Sequence, residues 1–438
     1  MNRADELAEE IRTFLFLQGP LSPLFSRIGD TLAAAGHRVL RVNLCIGDRL
    51  YWHRRGAYDY RGRPQGWARY IDDLMVREGV SDVILHGDRR FYHRIAGQVA
   101  RARGIRVIAT ELGYLRPDWM TIELDGTSTG SHFPDAPDTI REIAASLDPI
   151  DFTPEFHNSF WLVAAPDVAY NLANVALWFL YPHYRRHTIY NPVVEYVAAG
   201  LRLLRARKRD EAAAALAAAL KTGACPTGPG PWFVVPMQLE GDFQLRDHSP
   251  YGGMSKALSM IFASFATHAP KKARLVVKSH PLDAGLEQWP SVVMQMAREV
   301  GLGWRVDYVD GGRLDSLMDG AAGMVTVNSS AGLEALRVGL PVKTLCPAIF
   351  DIEGMTDSQP LDDFWNAPQV PDATLVDAFM KALAGTVQAR GSIHSYDGLG
   401  AAVEAMSARI LENRLNEPAA RVDPPPRLGR ARTLGAPL

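Results

Sequence analysis

Cysteine is scarce in this chain, with 3 among 438 residues. Cys45, Cys225 and Cys346 lie far apart and form no Cys-x-x-Cys pair. That excludes a disulfide framework or a zinc knuckle and suits a reducing compartment. An excess of charge of one sign is also missing. Lys and Arg number 47 against 49 Asp and Glu, for a formal net charge of −2. Without a global basic field, no nucleic-acid partner is expected. Long apolar runs are lacking too. The most membrane-like stretch, residues 162–181, contains Pro166, Asp167, Asn171 and Asn174. Each is costly in hydrocarbon, so the stretch predicts a buried helix. The opening MNRADELAEEIRTF is acidic where a secretory leader needs a basic start and an apolar core. A cytoplasmic location is expected. There is no GxGxxG fingerprint, no P-loop and no metal-ligand spacing. No metal or cofactor is expected.

What is present is a soluble composition, 47% hydrophobic and 22% charged. At roughly 100–200 residues per domain, the length predicts two or three domains. RTFLFLQGP, HRVLRVNL, SDVILHG and IRVIATELG read as buried parallel strands. Helical spacing fills the gaps between them, at residues 23–35, 67–78 and 91–103. This strand–helix alternation predicts a doubly wound α/β domain. Residues 167–220 read as mainly helical, and the turn-rich KTGACPTGPGP after them as a linker. The alternation then restarts with WFVVP, ARLVVKSHP, WRVDYVD, GMVTVNSS and PVKTL. The expected lobes are 1–220 and 221–415, with a cleft between them. The Pro- and Arg-rich tail, 416–438, reads as disordered.

Ligands of open α/β sheets bind outside the carboxyl ends of the strands, so the strand exits hold the candidates. Lys278 and His280 follow one strand, share a face if it persists, and can both donate to a phosphate; Pro281 stiffens the turn. Asn328, Ser329 and Ser330 join a strand to a helix. There they either cap the helix or, with its free N–H groups, hold an anion. Glu111 lies just past a strand in ATELGYLRPDWMTIE, a crowd of polar and aromatic residues with Arg116 and Asp118. Gln18 and Gly19 follow the first strand, where a single glycine lets backbone approach a ligand. Gln238 follows another strand and suits a base edge or a ribose. Trp178, Phe179, Tyr181, His183, Tyr184, Arg185 and Arg186 mix aromatic and basic groups. That mix suits either a membrane interface or a helix capping an interdomain cleft.

The ordered set QGP, ELGYLRPDWMTIE, VPMQLEGD, HSP, VVKSHPLD, TVNSSAGLEAL and CPAIFDIEGMT resembles the capsule polysaccharide biosynthesis family. Within it, the likeness is to the KpsS/LipB type of capsular polysaccharide export protein, over residues 14–356. The single motifs are weak, but their order is specific. The resemblance implies a β-Kdo glycosyltransferase of two Rossmann-like lobes, a GT-B-like α/β architecture. The 1–220 lobe would lie on the acceptor side and the 221–415 lobe would bind the nucleotide sugar. It implies CMP-Kdo as donor and a retaining transfer that starts the Kdo linker on lysophosphatidylglycerol. It also implies peripheral contact with the inner face of the cytoplasmic membrane. In related transferases the Lys-x-His-Pro and serine turns hold the CMP phosphate, here Lys278, His280, Ser329 and Ser330. A carboxylate is needed near the anomeric carbon as nucleophile or base. Members with a related motif carry two adjacent acids, whereas here Glu111 precedes Leu112. Glu111 is the candidate, Asp118 the reserve, and Arg116 a fork for the Kdo carboxylate. Two alternatives stand: another CMP- or UDP-sugar transferase, and a non-catalytic export adaptor, which Leu112 supports.

Overall fold

The computed structural model describes residues 11–438, in two compact units. The acidic opening, residues 1–10, lies outside the described residues. Unit 1 gathers residues 11–133, 149–187 and 383–421. Unit 2 gathers 134–148, 188–382 and 422–438.

Unit 1 is built on a sheet of seven strands. They are β1 (Thr13–Phe16), β2 (Arg38–Asn43), β3 (Ala57–Asp59), β4 (Asp82–His86), β5 (Arg106–Leu112), β6 (Trp119–Leu124) and, from far along the chain, β12 (Gln388–Arg390). Their spatial order is β12-β6-β5-β4-β1-β2-β3. β1 to β5 run parallel, while β6 runs antiparallel to β5 and β12 antiparallel to β6. Alternation along β1 sorts the core into two layers. Leu15 and Leu17 pack with Trp67, Ile71, Leu74, Tyr92 and Ala96. Phe14 and Phe16 pack with Phe25, Ile28, Ala402 and Met406.

Unit 2 carries β7 (Trp232–Pro236), β8 (Arg274–Lys278), β9 (Val306–Val309), β10 (Gly323–Thr326) and β11 (Val342–Thr344). The order is β11-β10-β7-β8-β9, and all are parallel. Phe233 and Val235 face Phe262, Phe265 and Trp365. Trp232 and Val234 face Ala213, Ala217 and Leu220. In both units the first strand is central, two strands lie to one side, and the chain then crosses to the other. That is the Rossmann-like order.

Several expectations need correction. The break is not at 220. The alanine-rich helix Ala206–Thr222 supplies core to unit 2 rather than extending unit 1. Its small side chains permit close approach, since a Cβ on Gly312 would lie 2.5 Å from that of Ala213. The stretch expected as a linker is part of unit 2, where Arg274 N donates to Pro231 O at 2.9 Å. The tail is ordered. It carries the helix Leu428–Thr433, and the buried Arg427 donates to the Ala348, Ile349 and Pro134 carbonyls. A guanidinium satisfied in this way anchors a segment that has no apolar period. The helix Phe160–Ala176 is not buried. Tyr170 and Asn174 are its buried residues, while Trp161, Leu172, Leu177, Trp178 and Phe179 in and after it are exposed. Hydropathy alone does not say which face finds a partner. Here the strip holding Tyr170 and Asn174 fits against Gly47, whose N–H donates to Asn174 Oδ1 at 2.9 Å.

Candidate active site

In unit 2 the strand order reverses between β7 and β10, the place where sheets of this kind hold ligands. Gln238 sits two residues beyond β7 and Asn328 two beyond β10. Both are buried, and the structure joins them. Gln238 Nε2 donates to Asn328 Oδ1 at 2.9 Å, and Asn328 Nδ2 donates to the Gln244 carbonyl at 2.8 Å. Two strand exits far apart in sequence are thus tied into one floor.

On the neighbouring strand, Lys278 ends β8 with its side chain buried and Nζ on the Ser279 carbonyl at 2.9 Å. Burial pushes its ammonium below the usual lysine range, while Asp310 pulls the other way. Asp310 is itself crowded by Arg202, by Arg209 at 2.9 Å and by the Ser279 hydroxyl at 3.0 Å. Lys278 and His280 therefore do not present two equal donors. The ammonium is turned inward, whereas His280 is half-buried and its Nδ1 accepts from Leu282 N at 3.1 Å. The neutral ring then keeps its proton on Nε2. Pro281 is exposed in the turn. Ser329 Oγ accepts from Ala331 N at 3.3 Å and so supplies the cap of the following helix; Ser330, at the N-cap itself, makes no side-chain cap bond. Beyond β11, a cavity of about 500 Å³ is lined by Lys343, Cys346, Asp351, Glu353, Thr356 and Arg430 among others.

Unit 1 reverses between β1 and β4. Gln18, two residues beyond β1, is buried and fully engaged. Its amide nitrogen lies 2.9 Å from Asp48 Oδ1, 2.6 Å from the Tyr170 hydroxyl and 3.1 Å from that of Tyr184. Its oxygen accepts from Arg90 at 3.2 Å. A Cβ on Gly19 would come within 2.8 Å of the Phe25 ring, so the smallest residue is needed there. Across the reversal, β4 ends in buried His86, whose Nε2 lies 3.8 Å from Glu111 Oε1. Between them, Gly87 has φ +75°, and a Cβ there would lie 3.3 Å from Glu111 Oε2 and 3.4 Å from Arg90 Nε. Burial, then Arg90, His93 and His187, hold His86 well below the usual histidine range. His93 is pushed down to about 3, mainly by burial. Burial also pushes the Cys45 thiol up, so it is no nucleophile.

The three candidates of the Glu111 stretch are not brought into contact with one another. Glu111 stands on β5 opposite Thr121. Asp118 is buried and accepts from Glu155 N at 2.5 Å and Phe156 N at 3.1 Å, which makes it a loop anchor. Arg116 is exposed, with Nε on the Gly113 carbonyl at 3.3 Å. Part of the stretch is itself a strand. Trp119–Leu124 is β6, and Glu123 on it is buried against the Tyr114 and Ser131 hydroxyls. Sequence reading passed over His86, Arg90 and Asp48. The signal for His86 was available, since His-Gly follows SDVIL just as Gln-Gly follows TFLFL.

Comparison with known proteins agrees with the motif order. The family model for capsule polysaccharide biosynthesis protein matches residues 81–394. The capsule polysaccharide export protein KpsS of Escherichia coli is 30% identical over 376 residues, covering 84% of this chain and 93% of that protein. The capsule polysaccharide modification protein LipB of Neisseria meningitidis serogroup A is 29% identical over 400 residues, covering 90% and 94%. Among solved structures, the β-Kdo 2,7 transferase of Thermosulfurimonas dismutans KpsC is 16% identical with a TM-score of 0.41, covering 92% of this chain and all of that one. The chain belongs to the capsule polysaccharide biosynthesis protein family.

Proposed function

We propose that this protein is a glycosyltransferase that moves Kdo from CMP-Kdo, with retention, onto a lysophosphatidylglycerol acceptor, starting the linker of a capsular polysaccharide. The observation that carries the reading is the Gln238–Asn328 pair across the β7/β10 reversal, with His280 on the next strand exit. Hydrogen-bonding amides and a histidine N–H suit a nucleotide, and membership of a capsule polysaccharide biosynthesis family is consistent with a sugar donor. CMP leaves as a phosphate monoester, so donors on its oxygens, without a metal, meet the main electrostatic demand. His280, Ser329 and Ser330 are those donors, with Lys278 adding positive potential from inside. Glu111 is the proposed reacting carboxylate, and Arg116 the proposed fork for the Kdo carboxylate.

The lipid acceptor is supported by the exposed Trp161, Trp178 and Phe179 of unit 1, with Arg185 and Arg186 exposed close by in sequence. Large aromatics beside cations suit a lipid interface. Among the described residues no helix is long and apolar enough to cross a membrane, so the proposed contact is peripheral. The test is incubation of the purified protein with CMP-Kdo and lysophosphatidylglycerol. CMP release with a product heavier by one Kdo is expected. Absence of CMP release with folded protein, or equal turnover of a UDP-sugar, would contradict it.

A further inference from the structure

A surface helix ordinarily turns its apolar stripe to the core and its charges to water. The helix Pro192–Leu203 of unit 2 does the reverse. Val193, Val197, Leu201 and Leu204 recur at the spacing that puts them on one helical face. They are 45, 61, 60 and 83% exposed, and Val194 and Leu203 beside them are 53 and 61% exposed. Arg202 stands on the opposite face, the one by which the unit holds the helix. Its guanidinium pairs with Asp310 just past β9, and Nη1 lies 3.7 Å from Asp283 Oδ2. At the other end Pro192 is buried, and Asn191 Oδ1 accepts from Val193 N at 3.0 Å. The cation is thus turned in and the aliphatic stripe turned out. Single exposed apolar residues are ordinary, but a contiguous patch marks a surface that meets something.

The charges beside the stripe say what it meets. Between residues 196 and 209 the chain has no Asp or Glu but holds Arg202, Arg205, Arg207, Lys208 and Arg209, in a protein of net charge −2. Arg202 and Arg209 are taken up by Asp310. Arg205, Arg207 and Lys208 are exposed, and the one ion pair among them, Arg207 with Glu211 at 2.8 Å, lies open to water and is worth little. Aliphatic side chains beside clustered cations fit the boundary between acyl chains and anionic headgroups. A protein partner is favoured less, because its hot spots call for aromatic anchors and this stripe is aliphatic throughout. At 12 residues the helix is too short to cross a bilayer, so it lies in the plane of the interface.

We propose that the exposed face of Pro192–Leu203 docks on an anionic lipid bilayer, with Arg205, Arg207 and Lys208 against its headgroups. The partner is the bulk bilayer rather than the acceptor molecule, and the surface belongs to unit 2 rather than to the aromatics of unit 1. The inference goes beyond the transfer reaction proposed above. Docking is read without donor or acceptor, so either claim can fail alone.

The experiment is co-sedimentation of the full-length protein with vesicles of phosphatidylcholine alone or mixed with phosphatidylglycerol. The wild type should bind the mixed vesicles, and pure phosphatidylcholine at least about tenfold more weakly, since each cation near an anionic surface adds several-fold. A Val197→Glu, Leu201→Glu double variant should lose at least about tenfold on mixed vesicles, because it puts charge where acyl chains would lie. An Arg205→Glu, Lys208→Glu variant should lose as much and flatten the dependence on salt. All four positions are exposed, so thermal unfolding should stay at the wild-type temperature. Equal binding of mixed vesicles by the wild type and the Val197→Glu, Leu201→Glu variant overturns the proposal, because another surface then carries the contact. A wild type that binds neither vesicle overturns it as well. So does a lipid-free dimer, seen by light scattering, that the same variant splits, since a second copy then covers the face. Should that variant unfold early, the Arg205→Glu, Lys208→Glu variant decides alone, and its unchanged binding overturns the proposal. Vesicle binding as expected, with no CMP release from CMP-Kdo, would contradict the proposed reaction and uphold this surface.

Discussion

The two units solve one topological problem with the same residue and different neighbours. Each reverses its strand order between its first strand and its fourth, and each places a buried glutamine two residues beyond the first strand. Gln238 of unit 2 bonds across the reversal to Asn328, an uncharged partner on the fourth-strand exit. Gln18 of unit 1 is instead shared among Asp48, two tyrosine hydroxyls and Arg90. Around it stand histidines that burial keeps neutral. One edge is thus built of groups that bond without changing charge. The other is built of ionisable groups whose charge state burial and neighbours fix.

The contrast can be broken by mutation. The largest effect is expected from Glu111→Gln. Turnover should fall at least about 100-fold, the low end for loss of a reacting carboxylate, while CMP binding stays intact. Steady-state kinetics beside CMP titration would show the split, and a parallel loss of binding would erase the distinction between the edges. Next comes a matched pair. Gln238→Leu leaves Asn328 Oδ1 without its buried donor and should cost about 1–3 kcal/mol in denaturant unfolding. Gln18→Leu should cost as much, because Asp48 and Arg90 each lose a partner. The 238 variant should weaken CMP binding roughly tenfold, the worth of one good hydrogen bond, and the 18 variant should not.

The smallest effect is on pH dependence. His93, at about 3 when folded and near 6.5 when unfolded, binds its proton later in the folded state as pH falls. Its contribution is intact above pH 6.5 and is lost as pH falls towards 3, at roughly 1 kcal/mol per pH unit. His86 adds to this in the same direction. His93→Gln should flatten the fall in thermal stability between pH 6.5 and 5, and an unchanged slope would count against buried neutral histidines in unit 1.

Much of this was legible in the sequence, for identifiable reasons. β1, β2, β4, β5, β7 and β8 are apolar runs whose burial shows in their composition, and the rule of strand exits led directly to Gln18, Gln238, Lys278 and Asn328. β3 has three residues, and β12 pairs with β6 from about 270 positions away, so neither carries a local signal. β6 hid because Thr121 and Glu123 break its apolar run, although both are buried. The unit boundaries hid because residues 134–148 join unit 2 ahead of its main body, and residues 149–187 and 383–421 return to unit 1. Lys278 was found as a residue but not as an inward-facing one. Nothing local to VVKSHP reveals Asp310, Arg202 and Arg209 behind it. The ordered tail shows the same limit, since Arg427 needs three carbonyls from two distant segments.

Hydrogen exchange of the wild-type protein with and without saturating CMP tests the central claim most directly. The account predicts slowed exchange at residues 237–244, 278–282 and 328–332, the exits of β7, β8 and β10. It predicts no change at residues 17–19 and 86–90, the exits of β1 and β4. Protection confined to the β1 and β4 exits, with the β7 and β10 exits unchanged, would contradict it.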